Sequence, residues 1–214
     1  MPPLPASIRV FPLGEVVLFP ETLLPLHIFE PRYRKMLDDA LEDDRLIGMV
    51  LVSDASAQEP VPIYSVGCAG RIVEHKAIPD GRSLIVLEGT TKFRVTRELA
   101  TEEPYRVVQP QALYEAPIPA ETMRSWRDAL HERMVAYVRA LGGEEEALER
   151  TFEKLRPEGL VNYLSASLPL EILERQSLLE CATVEQRYSR LCELLDFKIA
   201  EARLGLAGDR GTNS

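Results

Sequence analysis

The spacing of apolar residues changes once along the chain, near residue 118. Before it, Ile8 to Leu13, Val16 to Phe19 and Leu46 to Ser53 are apolar runs of strand length. Three longer extended stretches follow, Val66 to Ile78, Leu84 to Leu99 and Tyr105 to Tyr114. Pro79-Asp80-Gly81-Arg82 stands between two of them. Glycine tolerates the positive φ that a tight turn needs, so this segment predicts a hairpin. Gly89 and Glu102-Glu103-Pro104 read as further breaks. One helix interrupts the extended region. Pro31 suits a first helical turn, and Tyr33, Met36, Leu37, Ala40 and Leu41 recur at helical spacing up to the acidic Glu42-Asp43-Asp44. Roughly six strands with one early helix and long connections predict a closed or nearly closed barrel rather than a parallel α/β sheet.

After residue 118 the period becomes helical. Met123, Trp126, Leu130, Met134, Tyr137, Val138 and Leu141 form one apolar stripe, which Gly142-Gly143 stops. Glu144 to Leu155 reads as a second helix of this region. A third opens at Pro157 and contains Leu160, Val161, Tyr163 and Leu164, and Leu170 to Leu179 is a short fourth. Thr183-Val184-Glu185-Gln186 has the spacing of a capping box. It begins a long amphipathic helix through Tyr188, Leu191, Leu195 and Ile199. The expected organisation is α+β: a β-barrel subdomain with an early helix over 1–118, a C-terminal helical bundle over 119–204 and a flexible tail over 205–214. The boundary falls at Pro117-Ile118-Pro119.

Composition narrows the function classes. The chain has 214 residues, 45% hydrophobic and 28% charged, with a formal net charge of -9. The acid excess is spread over both regions, so attraction to phosphate backbones and binding to nucleic acid are not expected. Cys68, Cys181 and Cys192 are odd in number, widely spaced and without a CxxC. They fit neither a disulfide framework nor a thiolate metal site. The N-terminus has no basic segment leading into an apolar one, and no run approaches the length of a membrane span. A cytoplasmic protein that does not enter a membrane is expected.

Catalytic signatures are missing. His27, His75 and His131 have no His or Cys three or four positions away, so neither a metal nor another cofactor is expected. His27 sits between apolar neighbours and is read as structural, hydrogen-bonded near a barrel end. No GxSxG, Walker lysine loop or GxGxxG is present. Cys68 beside Gly67 reads as a small buried hydrophobe, and the carboxylate pairs Asp38-Asp39 and Asp43-Asp44 as solvated. Nothing in the sequence asks for an enzyme.

One segment is specific. Phe11-Pro12-Leu13, Phe19-Pro20 and Pro25-Leu26-His27-Ile28-Phe29-Glu30-Pro31-Arg32-Tyr33 closely resemble the opening of the Lon protease N-terminal, substrate-binding domain family. Val66-Gly67-Cys68-Ala69 resembles a later strand of that family, with Cys68 in place of the usual threonine. The hairpin Asp80 to Val95 also resembles it, with Lys92 in place of the usual arginine. Asn162-Tyr163-Leu164, Arg175 to Glu180 and Arg187-Tyr188 are similar to its helical part, so the match spans roughly residues 8 to 200. The resemblance implies a PUA-like β-barrel followed by a helical bundle. It also implies a non-catalytic module that binds unfolded or extended polypeptide, an adaptor in protein quality control working beside another protein of the proteolysis machinery. In full-length members a coiled coil, an ATPase module and a serine–lysine peptidase follow. This chain ends at Ser214, so neither ATP hydrolysis nor proteolysis is expected of it.

The residues themselves support two readings of the specific segment. In the architectural one, Pro31 sets the turn, Glu30 caps the helix start, Tyr33 packs into the barrel and Arg32 pairs with a carboxylate. In the binding one, Phe19, Leu23, Leu24 and Phe29 surround an exposed proline-rich loop, Pro20 to Pro25, that takes up an unfolded segment by removing apolar surface from water. With Glu30, Arg32 and Tyr33 beside it, this loop is one candidate surface. A groove at the junction of barrel and bundle, holding Trp126, is the other. Alternatives are RNA binding on a PUA-like barrel and an uncharacterised hydrolase. The oligomeric state is left open, since the last helix can serve a dimer or its own bundle.

Overall fold

The computed structural model describes residues 3–58, 60–116 and 118–211, the last seven of these by backbone alone. The chain forms two compact units, Met1–Tyr114 with Ala166–Glu180 and Glu115–Ser165 with Cys181–Ser214.

The first unit is built on strands β1 (Ile8–Leu13), β2 (Leu23–Ile28), β3 (Leu46–Leu51), β4 (Val66–Ala77), β5 (Ser83–Leu99) and β6 (Arg106–Ala112). Helix α1 (Pro31–Glu42) lies between β2 and β3 in sequence. The sheet is mixed, in the order β2-β5-β4-β3-β1-β6, and β5 also pairs with β6. The pairings β1–β3–β4–β5–β6–β1 therefore form a closed circuit, with β2 outside it as an edge strand. Only β1 and β3 run parallel. All six residues of β3 are buried, as a strand covered on both faces requires.

The length of β5 lets one strand serve two sets of partners. Its first half pairs β2, and its second half pairs β6. Register shifts between Ala69 and Gly70, between Ile72 and Glu74, and between Val95 and Arg97 mark where the ladders are interrupted. Extra residues of this kind bend a strand and increase its twist. The β4–β5 hairpin forms at the expected Asp-Gly turn. Gly81 has φ +81, and the Ile78 N–H donates to the Arg82 carbonyl at 2.8 Å.

The core of this unit gathers Ile8, Val10, Leu46, Val50, Ala69, Phe93 and Val108. Tyr33, Met36, Leu37 and Ala40 supply the buried face of α1. Val16 to Phe19, expected as a strand, has no regular structure. Val17, Leu18 and Phe19 are nonetheless buried, so the run is apolar because it lines the core rather than because it pairs. Gly89 is likewise inside β5 and does not end it.

Helix α5 (Ile172–Glu180), which the change of period groups with the later helices, belongs to the sheet unit. Its Gln176 is 2% exposed and donates from Nε2 to the Val66 carbonyl of β4 at 3.0 Å. Such a contact leaves no trace in helical periodicity.

The second unit contains α2 (Ala120–Ala140), α3 (Glu146–Lys154), most of α4 (Pro157–Ser167) and α6 (Val184–Gly211). Gly142, at φ +71, follows the end of α2. At the start of α6 the Gln186 N–H donates to Thr183 Oγ1 at 3.1 Å, and the Ala182 N–H donates to Gln186 Oε1 at 3.0 Å. The first bond is the one the capping-box spacing predicts; the return bond from Gln186 reaches the N–H of Ala182, one residue before the Thr183 N–H that a capping box would use. The backbone of residues 205–211, expected as a flexible tail, continues α6, while residues 212–214 lie outside the described residues. Arg187 is completely buried and binds both Glu115 and Asn162, the latter at 2.9 Å.

Candidate functional site

The segment that carries the sequence resemblance is held against β5 at its start. Phe19 is fully buried, and its carbonyl accepts from Thr22 Oγ1 at 2.8 Å. Gly89 exchanges hydrogen bonds with this turn. Its N–H donates to the Thr22 carbonyl at 2.9 Å, and its carbonyl accepts from the Glu21 N–H at 2.8 Å. From Leu23 onward the chain is strand, so the expected proline-rich loop is shorter than Pro20 to Pro25 and becomes an edge of the sheet. Phe19 is thus not a surface residue, because the turn that follows it is pinned to β5 and leaves its ring in the core.

Leu23 is 66% exposed and Phe29 58% exposed, as expected for a displayed apolar pair. Strand alternation explains which residues join them. Leu23, Pro25 and His27 are exposed and pair with Glu88, Val86 and Leu84 of β5, while Leu24 and Leu26 are half-buried on the other face. Leu84 is 45% exposed. On the far side of β5, Glu74 pairs Val86 and Lys76 pairs Leu84. The result is a shallow depression of about 480 Å³ whose apolar lining includes Pro25, Leu84 and Val86, with His27, Glu74 and Lys76 also lining it. His27, expected to be structural, is exposed here, with its ring 5.7 Å from that of Phe29. Alternation along β2 puts His27 on the exposed face with Leu23 and Pro25, while its apolar sequence neighbours Leu26 and Ile28 point to the opposite face and so do not bury it.

Glu30, Arg32 and Tyr33 lie at the start of α1. Glu30 occupies the cap position, but its side chain makes no capping hydrogen bond. Its Oε2 accepts from Arg32 Nε at 3.0 Å instead. The Arg32 guanidinium stands 4.6 Å from the centre of the Tyr33 ring, which is buried 4.2 Å from the ring of Phe11. Tyr33 is therefore a core residue, and Arg32 stacks on its outer side.

Arg32 and Tyr33 border a second hollow, a cleft of about 470 Å³ that also involves Tyr105 and Arg106. Its polar groups are largely engaged with one another. Arg106 donates from Nε and Nη2 to the two carboxylate oxygens of Glu98 at 2.7 Å, and from Nη1 to the Val61 carbonyl at 2.7 Å. Tyr105 donates its hydroxyl to Asp39 at 2.6 Å. Burial, aided by that bond, pushes the Tyr105 phenol up to about 12. The Lys35 ammonium, 2.5 Å from Asp39, holds the Asp39 carboxyl below its ordinary range.

Trp126 is in the helical unit. It is half-buried on α2, 5.8 Å from the ring of Tyr188. Tyr188 donates its hydroxyl to the Pro157 carbonyl at 2.8 Å, and burial raises its phenol well above the ordinary value. Among the described residues, no group of three His, Cys, Asp or Glu side chains could hold a metal, and no helix is long and apolar enough to cross a membrane. Leu84 and Val86 were not among the residues singled out from sequence. Their signal was present in the alternation of Ser83 to Glu88, where they occupy the positions opposite to buried Ile85 and Leu87.

The strand circuit, the edge strand and the helices that follow define a family. The chain belongs to the ATP-dependent protease La (LON) substrate-binding domain family, whose model matches residues 7–196. It is 28% identical to the Lon protease of Azospirillum brasilense over 191 residues, which is 88% of this chain and 24% of that protein. It is 29% identical to Lon protease 2 of Herpetosiphon aurantiacus over 198 residues, 90% of this chain and 24% of that one. The chain thus spans about a quarter of the length of the curated relatives it matches. Two solved structures share its fold. The Lon N-terminal domain protein from Xanthomonas campestris has a TM-score of 0.61 at 24% identity, covering 89% of this chain and 97% of that one. The N-terminal domain of the Mycobacterium avium complex Lon protease has a TM-score of 0.68 at 16% identity, covering 91% and 98%.

Proposed function

We propose that this protein is a polypeptide-binding module that takes up unfolded or extended segments on the outer face of β2 and β5, serving as an adaptor in protein quality control without chemistry of its own. Membership of a substrate-binding family supports the binding of polypeptide. The observation that carries the choice of surface is the display of Leu23, Phe29 and Leu84 together, at 66%, 58% and 45% exposure, on a face to which β2 contributes no charged residue. Contiguous exposed apolar groups are unfavourable in water, and an unfolded segment covering them removes apolar area from both partners. Removing about 60 Å² of apolar surface from water contributes roughly 1.5 kcal/mol.

The test is fluorescence anisotropy with a labelled, permanently unfolded polypeptide. The wild-type chain is expected to bind, and Leu23→Ser combined with Leu84→Ser to weaken binding roughly tenfold or more without loss of fold by circular dichroism. Equal affinity of the double variant would remove this surface from consideration.

A further inference from the structure

We propose that the bound segment adds to the free edge of β2 as a further strand, so that its backbone, and not only its side chains, is recognised. This rests on the polypeptide-binding reading above and specifies how that surface works.

The strand pairing shows which backbone groups of β2 face outward. The Gly89 N–H donates to the Thr22 carbonyl, and the Leu24–Leu87, Leu26–Ile85 and Ile28–Ser83 pairs continue that register at every second residue. In an antiparallel ladder hydrogen-bonded and non-hydrogen-bonded pairs alternate, and a residue's N–H and C=O point to the same side. Leu24, Leu26 and Ile28 therefore bond to β5. Leu23, Pro25 and His27 direct their backbone groups to the side where, among the described residues, β2 has no neighbouring strand. Pro25 agrees with this assignment, because a residue without an N–H is tolerated where no ladder bond is required of it. The open side thus offers the N–H groups of Leu23 and His27 and the carbonyls of Leu23, Pro25 and His27.

Free edges are usually guarded by charged side chains, bulges or a covering element. The sequence of β2, Leu-Leu-Pro-Leu-His-Ile, has no charge, and Pro25 alone interrupts its donors. A row of alternating donors and acceptors matches one kind of partner, an extended polypeptide backbone. Leu23, Pro25 and His27 also present their side chains on the outer face, so an added strand places every second side chain beside them. The segment that fits has apolar residues at alternate positions. Exposed Glu88, which pairs Leu23, puts a carboxylate at that end of β2 and favours a basic residue at the matching end of the segment.

The experiment uses the full chain and three short peptides. The first alternates valine and serine and ends in lysine. The other two carry N-methyl groups on every second backbone amide, one in each of the two alternating positions. In either strand direction only one of these positions faces β2. The expected result is binding of the parent peptide, a roughly tenfold or larger loss for one methylated version and near-parent affinity for the other. Amide exchange at Leu23 and His27 should slow on binding, while Leu24 and Leu26, already bonded to β5, stay as they were. Equal affinities of both methylated versions, or equal losses, overturn strand addition, as does failure of the parent peptide when an unfolded protein still binds. In those cases the polypeptide-binding reading survives. If no unfolded protein binds at all, that reading fails and strand addition with it.

Discussion

The carbonyl oxygen of Phe19 occupies the space that a side chain at residue 89 would need: a Cβ built on Gly89 would lie 1.9 Å from it. Glycine at this position lets the turn before β2 lie directly on β5, where Gly89 bonds to both Glu21 and Thr22. Glu21 takes up a positive φ of 62 in the same turn. The edge strand, and with it the candidate surface, is therefore positioned by a backbone contact.

Gly89→Ala is expected to force the two segments apart, since the clash is with backbone and cannot be relieved by a rotamer change. A loss of at least about 2 kcal/mol in chemical denaturation is expected. Peptide affinity should fall as well. An unchanged midpoint would mean that the turn has another comfortable position.

Arg187 and Glu115 form a deeply buried ion pair of the helical unit, with side-chain exposures of 0% and 19%. Removing Glu115 takes a carboxylate away from a buried guanidinium, while Asn162 Oδ1 still accepts from it. Glu115→Ala is expected to cost about 3 kcal/mol. Replacing both residues by apolar ones (R187M with E115L) should cost less than this single change, because the buried charge is removed together with its carboxylate. Denaturation of the two variants measures the difference.

The raised Tyr105 phenol makes stability fall in alkali. Its value in the folded chain, about 12, exceeds the ordinary 10. Its contribution is therefore fully present below pH 10 and is lost as the pH climbs from 10 towards 12. Tyr105→Phe should lack that part of the alkaline loss. Ultraviolet difference titration of tyrosinate, followed beside unfolding, checks both statements. A phenol that ionises at its ordinary value would contradict the burial beside Asp39.

Thr183→Ala removes the acceptor of the Gln186 N–H at the start of α6. A loss of about 1 kcal/mol is expected. Thr183→Ser, which keeps an oxygen in reach, should recover most of it. Equal stability of all three would show that the cap is redundant with packing.

Much of this architecture was legible in the chain itself. Alternation, turn chemistry and helical stripes placed β1, β3 to β6 and α1 to α6, because each depends on local spacing that one face of an element imposes. Asp80-Gly81 located the hairpin, and Thr183 to Gln186 located the last helix, because turns and caps are satisfied within a few residues. The motif from Phe11 to Tyr33 identified the family.

What remained depended on partners far away in sequence. Phe19 and Leu23 are both apolar and stand four positions apart, yet one is buried and the other 66% exposed. That difference comes from the contact of the turn with Gly89. Cys68 and Lys92, 24 positions apart in sequence, pair directly across β4 and β5, which no spacing could reveal. Local periodicity thus determined which elements this protein makes. The long-range register of β2 on β5 decided which side chains became core and which became surface, because a strand's two faces look alike until a neighbour covers one of them.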